Sequence, residues 1–131
     1  MTGTTMGRAE LRAHENAMRQ PFEVVVKELR DRLTPRLVAY IAGVGETRAV
    51  HQWAEGRRAV KSVDVEDRLR FALQVALLLG EHDAARVVQA WFQGLNPHLD
   101  DRSPARLLRD GDLPDVGPLV LGAARAFLVD G

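Results

Sequence analysis

The stretch DVEDRLRFALQVALLLG, residues 64–80, limits the fold more than any other part of the chain. Its middle is almost continuously apolar (Phe71, Ala72, Leu73, Val75, Ala76, Leu77, Leu78, Leu79), its start is acidic, and Gly80 follows as a helix stop. A helix that is apolar on every side has no face to offer water, so it belongs at the centre of an assembly of other helices. No apolar run in the chain approaches the ~20 residues needed to cross a bilayer.

The rest of the pattern supplies those other helices. Apolar residues recur at spacings of three and four, and no Asn-Gly or Asp-Gly joins two alternating runs, so the expected fold class is all-α. A weak helix is expected over 8–20, after seven disordered residues, with Leu11 and Met18 as its few apolar contacts; Pro21 ends it. Phe22, Val25, Val26, Leu29 and Leu33 make a stripe for a stronger helix over 22–33. Thr34-Pro35 then reads as an N-cap with proline in the first turn, opening a helix over 35–42 that stops at Gly43 and Gly45. Another runs over 47–55 with Gly56 as its left-handed end, and a connector at 60–63 leads to the central helix over 64–79. Asp83 is the expected cap of a helix over 84–93 that stops at Gly94 and Asn96-Pro97. Ser103-Pro104 opens a short helix to 109, Gly111 closes it, and a last helix covers 116–128. The expected organisation is a flexible arm or weak helix at 1–20, a helix-turn-helix region at 21–63, and the central helix with a C-terminal domain at 64–131.

Composition narrows the chemistry. There is no cysteine, and the four histidines (His14, His51, His82, His98) lack the i, i+4 spacing of a helical metal site, so neither a cofactor nor a metal is expected. Nor is an enzyme: Asp100-Asp101 are neighbours that point apart, no nucleophile has a base beside it, and no glycine loop has the phosphate-cradling pattern. The start of the chain has no apolar segment of the secretory kind, and the expected location is the cytoplasm, away from membranes. Formal net charge is +0, which disfavours non-specific coating of nucleic acid. The distribution is uneven, however. Arg36, Arg48, Arg57, Arg58 and Lys61 outnumber Glu46 and Glu55 in the middle, whereas six aspartates outnumber four arginines after residue 94.

The basic middle contains VAYIAGVGETRAVHQWAEG, which has the parts of a helix-turn-helix. Val38, Ile41 and Ala42 face inward from the first helix, and Val50 and Trp53 from the second. The outward face is then Thr47, Arg48, His51 and Gln52, where Arg suits guanine and Gln suits adenine, with Arg57, Arg58 and Lys61 placed for phosphates. A corner in a helical bundle has the same parts, and the turn is one residue longer than the common spacing.

The last third has a different order. A Trp91-Phe92 pair ends one helix, Asn96-Pro97 turns, Arg102-Ser103-Pro104 opens a short helix, and Leu107-Leu108 followed by Gly111 closes it before the final helix. This succession resembles the toxin-binding domain of the Xre/MbcA/ParS antitoxin family, whose usual N-terminal half is matched by the helix-turn-helix pattern at 35–56. The resemblance implies a RES-domain, NAD-consuming toxin as partner, occluded by the antitoxin's C-terminus, together with binding to promoter DNA. It implies that Trp91, Asn96, Pro97, Arg102, Pro104, Leu107, Leu108 and Gly111 shape the toxin-binding fold, and that Phe127, Leu128, Val129, Asp130 and Gly131 form the plug. An apolar anchor beside a carboxylate suits a partner's pocket. The alternative is a stand-alone transcriptional regulator whose C-terminal domain dimerises; a homodimer is expected in either case, because palindromic sites mirror two-fold symmetry.

Overall fold

The computed structural model describes residues 7–130, so the disorder expected of residues 1–6 and the plug role given to Gly131 fall outside it. The helices are α1 (Arg8–Arg19), α2 (Phe22–Leu33), α3 (Pro35–Ala42), α4 (Thr47–Ala54), α5 (Val63–Gly80), α6 (Ala85–Gln93), a 3-10 turn (Pro97–Leu99), α7 (Pro104–Asp110) and α8 (Leu113–Asp130). Regular structure is helical throughout the described residues, apart from one bridge between Asn96 and Arg102. None of these helices is long and apolar enough to cross a membrane.

As its composition requires, α5 lies at the centre. It packs against α1, α2, α3, α6, α7 and α8, and Leu69, Ala72, Leu73, Val75 and Leu79 are fully buried. Each large aliphatic side chain so buried contributes roughly 1.5–3 kcal/mol. One continuous cluster of apolar side chains runs from Ala17 on α1 to Ala124 on α8. Helix starts follow the caps: the hydroxyls of Thr34, Ser62 and Ser103 accept from the backbone N–H of Leu37, Val65 and Arg106. Thr34 does so at φ 87°, a conformation that strains a β-branched residue.

Three expectations are corrected. The cap before α6 is Ala84, which has no side chain to bond, and not Asp83. The last helix begins at Leu113, three residues before Val116, because the carbonyl of Asp112 already accepts from Asp115 and Val116. Pro114 sits harmlessly in that first turn, whereas Pro118 falls inside the helix. On α1 the buried residues are Ala13 and Ala17, and Leu11 and Met18 are exposed. Alanine lets the α1 backbone approach α5 closely, and that contact turns the longer apolar residues outward.

With so little apolar area, α1 relies on polar clamps. Nη1 of Arg70, on α5, donates to the carbonyls of Ala17 (2.9 Å) and Gln20 (2.7 Å) at the α1 C-terminus. His14 and the buried Gln74 share a hydrogen bond of 3.1 Å, and Arg125 of α8 makes a two-pronged pair with Glu10. That hydrogen bond to Glu10 raises the Arg125 pKa above its ordinary value; desolvation opposes the shift and the Glu10 charge adds to it.

Bonds from a charged donor are worth about 1.5–3 kcal/mol, so Arg70→Met is expected to release α1 selectively. Amide hydrogen exchange over Arg8–Arg19 should quicken by roughly tenfold or more while α5 stays protected. Equal quickening in α1 and α5 would show that Arg70 supports the whole fold rather than this helix.

Candidate functional site

Residues 43–46 join α3 to α4, and the geometry of this corner is held from three sides. Gly43 takes φ 80°, a value that glycine alone adopts freely, which lets Val44 N–H bond Ala39 O and Gly43 N–H bond Tyr40 O. Arg68 on α5 then donates to the carbonyls of Ile41 (3.1 Å) and Ala42 (3.2 Å), and Arg109 on α7 donates to Tyr40 O (2.8 Å) while stacking on its ring. The last carbonyls of α3 are all satisfied, and two cations face the negative end of its dipole. A four-residue turn lies within the range of helix-turn-helix connections.

The faces of α4 separate as its sequence implies. Ala49, Val50 and Trp53 are buried, with Trp53 edge-on to Phe22 at 6.0 Å. Arg48 is exposed, and Thr47, His51 and Gln52 are partly exposed. At the far end Gly56, at φ 71°, reverses the chain under the Glu23 carboxylate. Arg57, Arg58 and Lys61 follow, all exposed. These cations are not equivalent: Arg57 is bonded to Glu55 (2.9 Å), whereas Arg48 has no ion-pair partner among the described residues. A shallow cleft of about 530 Å3 collects Glu46, Arg48, Gln52 and Arg58 beside the turn. Two side chains of the face have fixed neighbours: Arg58 reaches Gln52 Oε1 at 3.3 Å while lying over the Trp53 ring, and Arg30 of α2 reaches His51 Nδ1 at 3.3 Å. Arg30 did not emerge from the sequence, because only packing of α2 on α4 brings it 21 positions across to His51.

The C-terminal motif residues form one loop and its supports. Asn96 caps its own turn, accepting from His98 N–H through Oδ1 (2.9 Å), and its carbonyl accepts from Leu99 and Asp101. Arg102 closes the loop by donating Nε–H to Leu99 O (3.1 Å), and Asn96 N–H bonds Arg102 O. Asp100 and Asp101 both take the left-handed conformation, at φ 55° and 58°, and are exposed. Trp91, Asn96, Pro104, Leu107 and Leu108 are buried, Gly111 is partly exposed, and Pro97 and Arg102 are exposed. Among the described residues no three His, Cys, Asp or Glu groups gather within metal-binding range.

The end of α8 is divided. Phe127 and Leu128 pack against the core, with Phe127 tilted over Trp91 at 6.5 Å, whereas Val129 is 85% exposed and Asp130 is also outward. Pro118, Leu119 and Gly122 continue the exposed, largely apolar side of this helix.

No protein-family model and no curated protein matches the chain. A chain in the crystal structure of the M. tuberculosis MbcT–MbcA toxin–antitoxin complex is similar to it, at 27% identity and a TM-score of 0.63 over 82% of this chain and 96% of that one. The fold is therefore an all-helical one shared with a component of a toxin–antitoxin complex.

The buried Trp91 indole N–H meets no protein acceptor, while its ring packs on Phe92 and Phe127. Trp91→Phe is expected to change stability by less than about 1 kcal/mol, because it removes an unmatched donor along with some area; Trp91→Ala should cost about 3–5 kcal/mol. Urea unfolding of both variants checks this, and a Trp91→Phe loss of about 2 kcal/mol or more would mean that the N–H is bonded.

Proposed function

We propose that this chain is an antitoxin: it binds and neutralises a toxin protein through its C-terminal helix, and binds its own promoter DNA through α4. The observation that carries the reading is the likeness to a component of the MbcT–MbcA toxin–antitoxin complex, which extends over most of both chains. The ordered motif from Trp91 to Gly111 and its resemblance to the antitoxin family support a RES-domain, NAD-consuming toxin as the partner. Under this reading the chain contributes binding and no catalysis of its own.

The division of α8 supports two parts for the plug in this reading. Phe127 and Leu128, seated on the core, orient the chain end; Val129 and Asp130, which are exposed, are the groups free to enter a partner's active site. The buried motif residues hold the 96–102 loop and α7 as the platform from which α8 departs. A stable complex needs about 1,200 Å2 or more of buried surface, beyond what a few terminal residues provide, so the exposed side of α8 at Pro118, Leu119 and Gly122 joins the contact. DNA binding rests on Arg48, which has no ion-pair partner among the described residues, and on Arg58 and Lys61 beyond the helix, in a homodimer whose two α4 helices enter the major groove about 34 Å apart.

A pull-down from the native host, tagged at the N-terminus, is expected to recover a stoichiometric partner with the full chain and to lose it when residues 127–131 are removed. The released partner should consume NAD only when free. Recovery of nothing but this protein and DNA would overturn the toxin and leave a DNA-binding regulator with a dimerising C-terminal domain. On promoter DNA, Lys61→Ala should reduce the log–log salt slope by about 0.9 if it contacts one phosphate; an unchanged slope removes Lys61 from the phosphate contacts.

A further inference from the structure

We infer that the outward face of α4 offers the major groove hydrogen-bond donors from Arg48, His51 and Gln52, and so selects guanine rather than adenine. The inference rests on the DNA-binding part of the proposed function and specifies what that surface reads.

The reason lies in two arginines that touch the face without belonging to it. A guanidinium has five N–H donors, no acceptor, and a charge that is always present. Where Arg30 Nη1 approaches His51 Nδ1 at 3.3 Å, the imidazole nitrogen must therefore accept. A neutral imidazole carries one N–H, which is then on Nε2, and His51 presents a donor at its other side. Gln52 is treated the same way. Its Oε1 is turned to Arg58 Nη1, and Arg58 is itself held over the Trp53 ring, so the amide group left for the groove is the NH2. The remaining lone pair of Oε1 lies beside a cation, which disfavours the approach of adenine's amino group. Arg48 is donor-only by its chemistry.

Base edges sort this pattern. Guanine shows two adjacent acceptors in the major groove, adenine an acceptor beside a donor, and cytosine a donor. Neighbouring donors on α4 fit guanine, and the pairing of Gln with adenine expected from residue type alone is disfavoured by Arg58. Glu46, exposed at the rim of the same cleft, is a full acceptor and suits a cytosine amino group, which again marks a G·C pair. Arg30 and Arg58 are thus positioning residues: they act on the base through His51 and Gln52.

Binding-site selection from a random duplex library, using the full-length protein, tests the inference. The natural sequence is expected to enrich guanines at neighbouring positions of each half-site. Arg58→Met, at an exposed site, should shift one of those positions from guanine toward adenine, a change of roughly tenfold in relative affinity. Arg58→Lys should restore guanine, because an ammonium also donates to Oε1. Arg30→Met should relax a second position, and nitrogen-15 spectra of His51 in the free protein at pH 8 should place the proton on Nε2. A.T pairs at the selected positions, an unchanged preference in Arg58→Met, or a proton on Nδ1 would each overturn the donor face while leaving DNA binding intact. Enrichment of no sequence at all would instead overturn the DNA-binding reading, and the donor face with it.

Discussion

Everything in this fold depends on the burial of one helix whose C-terminal half is almost wholly apolar. Six helices surround α5, and the positions they take are set by the need to cover it. The same helix also carries partly buried arginines in its first half. Arg68 reaches back to the end of α3 and Arg70 to the end of α1, so the element that supplies the largest share of the core also neutralises the carbonyl ends of two neighbours. Apolar burial is indifferent to direction, whereas an arginine on a helix terminus fixes the register and end-point of its partner. The corner between α3 and α4 inherits its geometry from Arg68 in this way.

What could be read from the sequence follows the range of the interactions involved. Helix starts at Thr34 and Ser103 and the reversals at Gly43 and Gly56 are local, and each was legible from two or three residues. Central placement of α5 was legible for a different reason: its apolarity leaves one solution. The alanine face of α1 was not, because Ala13 and Ala17 look neutral until α5 lies against them, and Leu11 and Met18 look like the better anchors. The early start of α8 was obscured by Pro114 and Pro118, which suggest a later beginning than the Asp112 carbonyl allows.

The candidate site was legible as to residue type and incomplete as to state. Position on α4 follows from the 3.6-residue period, so Arg48, His51 and Gln52 fall opposite Val50 and Trp53. Their hydrogen-bonding character does not follow from the period, since histidine and glutamine each present two faces to a ligand. The choice is made by Arg30 and Arg58, one of them on another helix. Specificity of this kind is a property of the packed structure even when the contacting residues are visible in the sequence.

A similar distinction applies to the C-terminal motif. Trp91, Asn96, Pro104, Leu107 and Leu108 made the family resemblance recognisable, yet all five are buried, and their bonds and contacts are within the chain. Residues that specify a turn or a tight helix junction tolerate few replacements, because left-handed backbone and buried polar groups have few solutions. Exposed residues such as Val129 and Asp130, to which the proposed function gives the partner contact, have no such constraint from the fold and carry no pattern of their own. The motif therefore marks a platform, and the contact surface has to be located by asking which groups the platform leaves exposed. Under the proposed function that is the outer side of α8 beyond Phe127, where the core's hold on the chain ends.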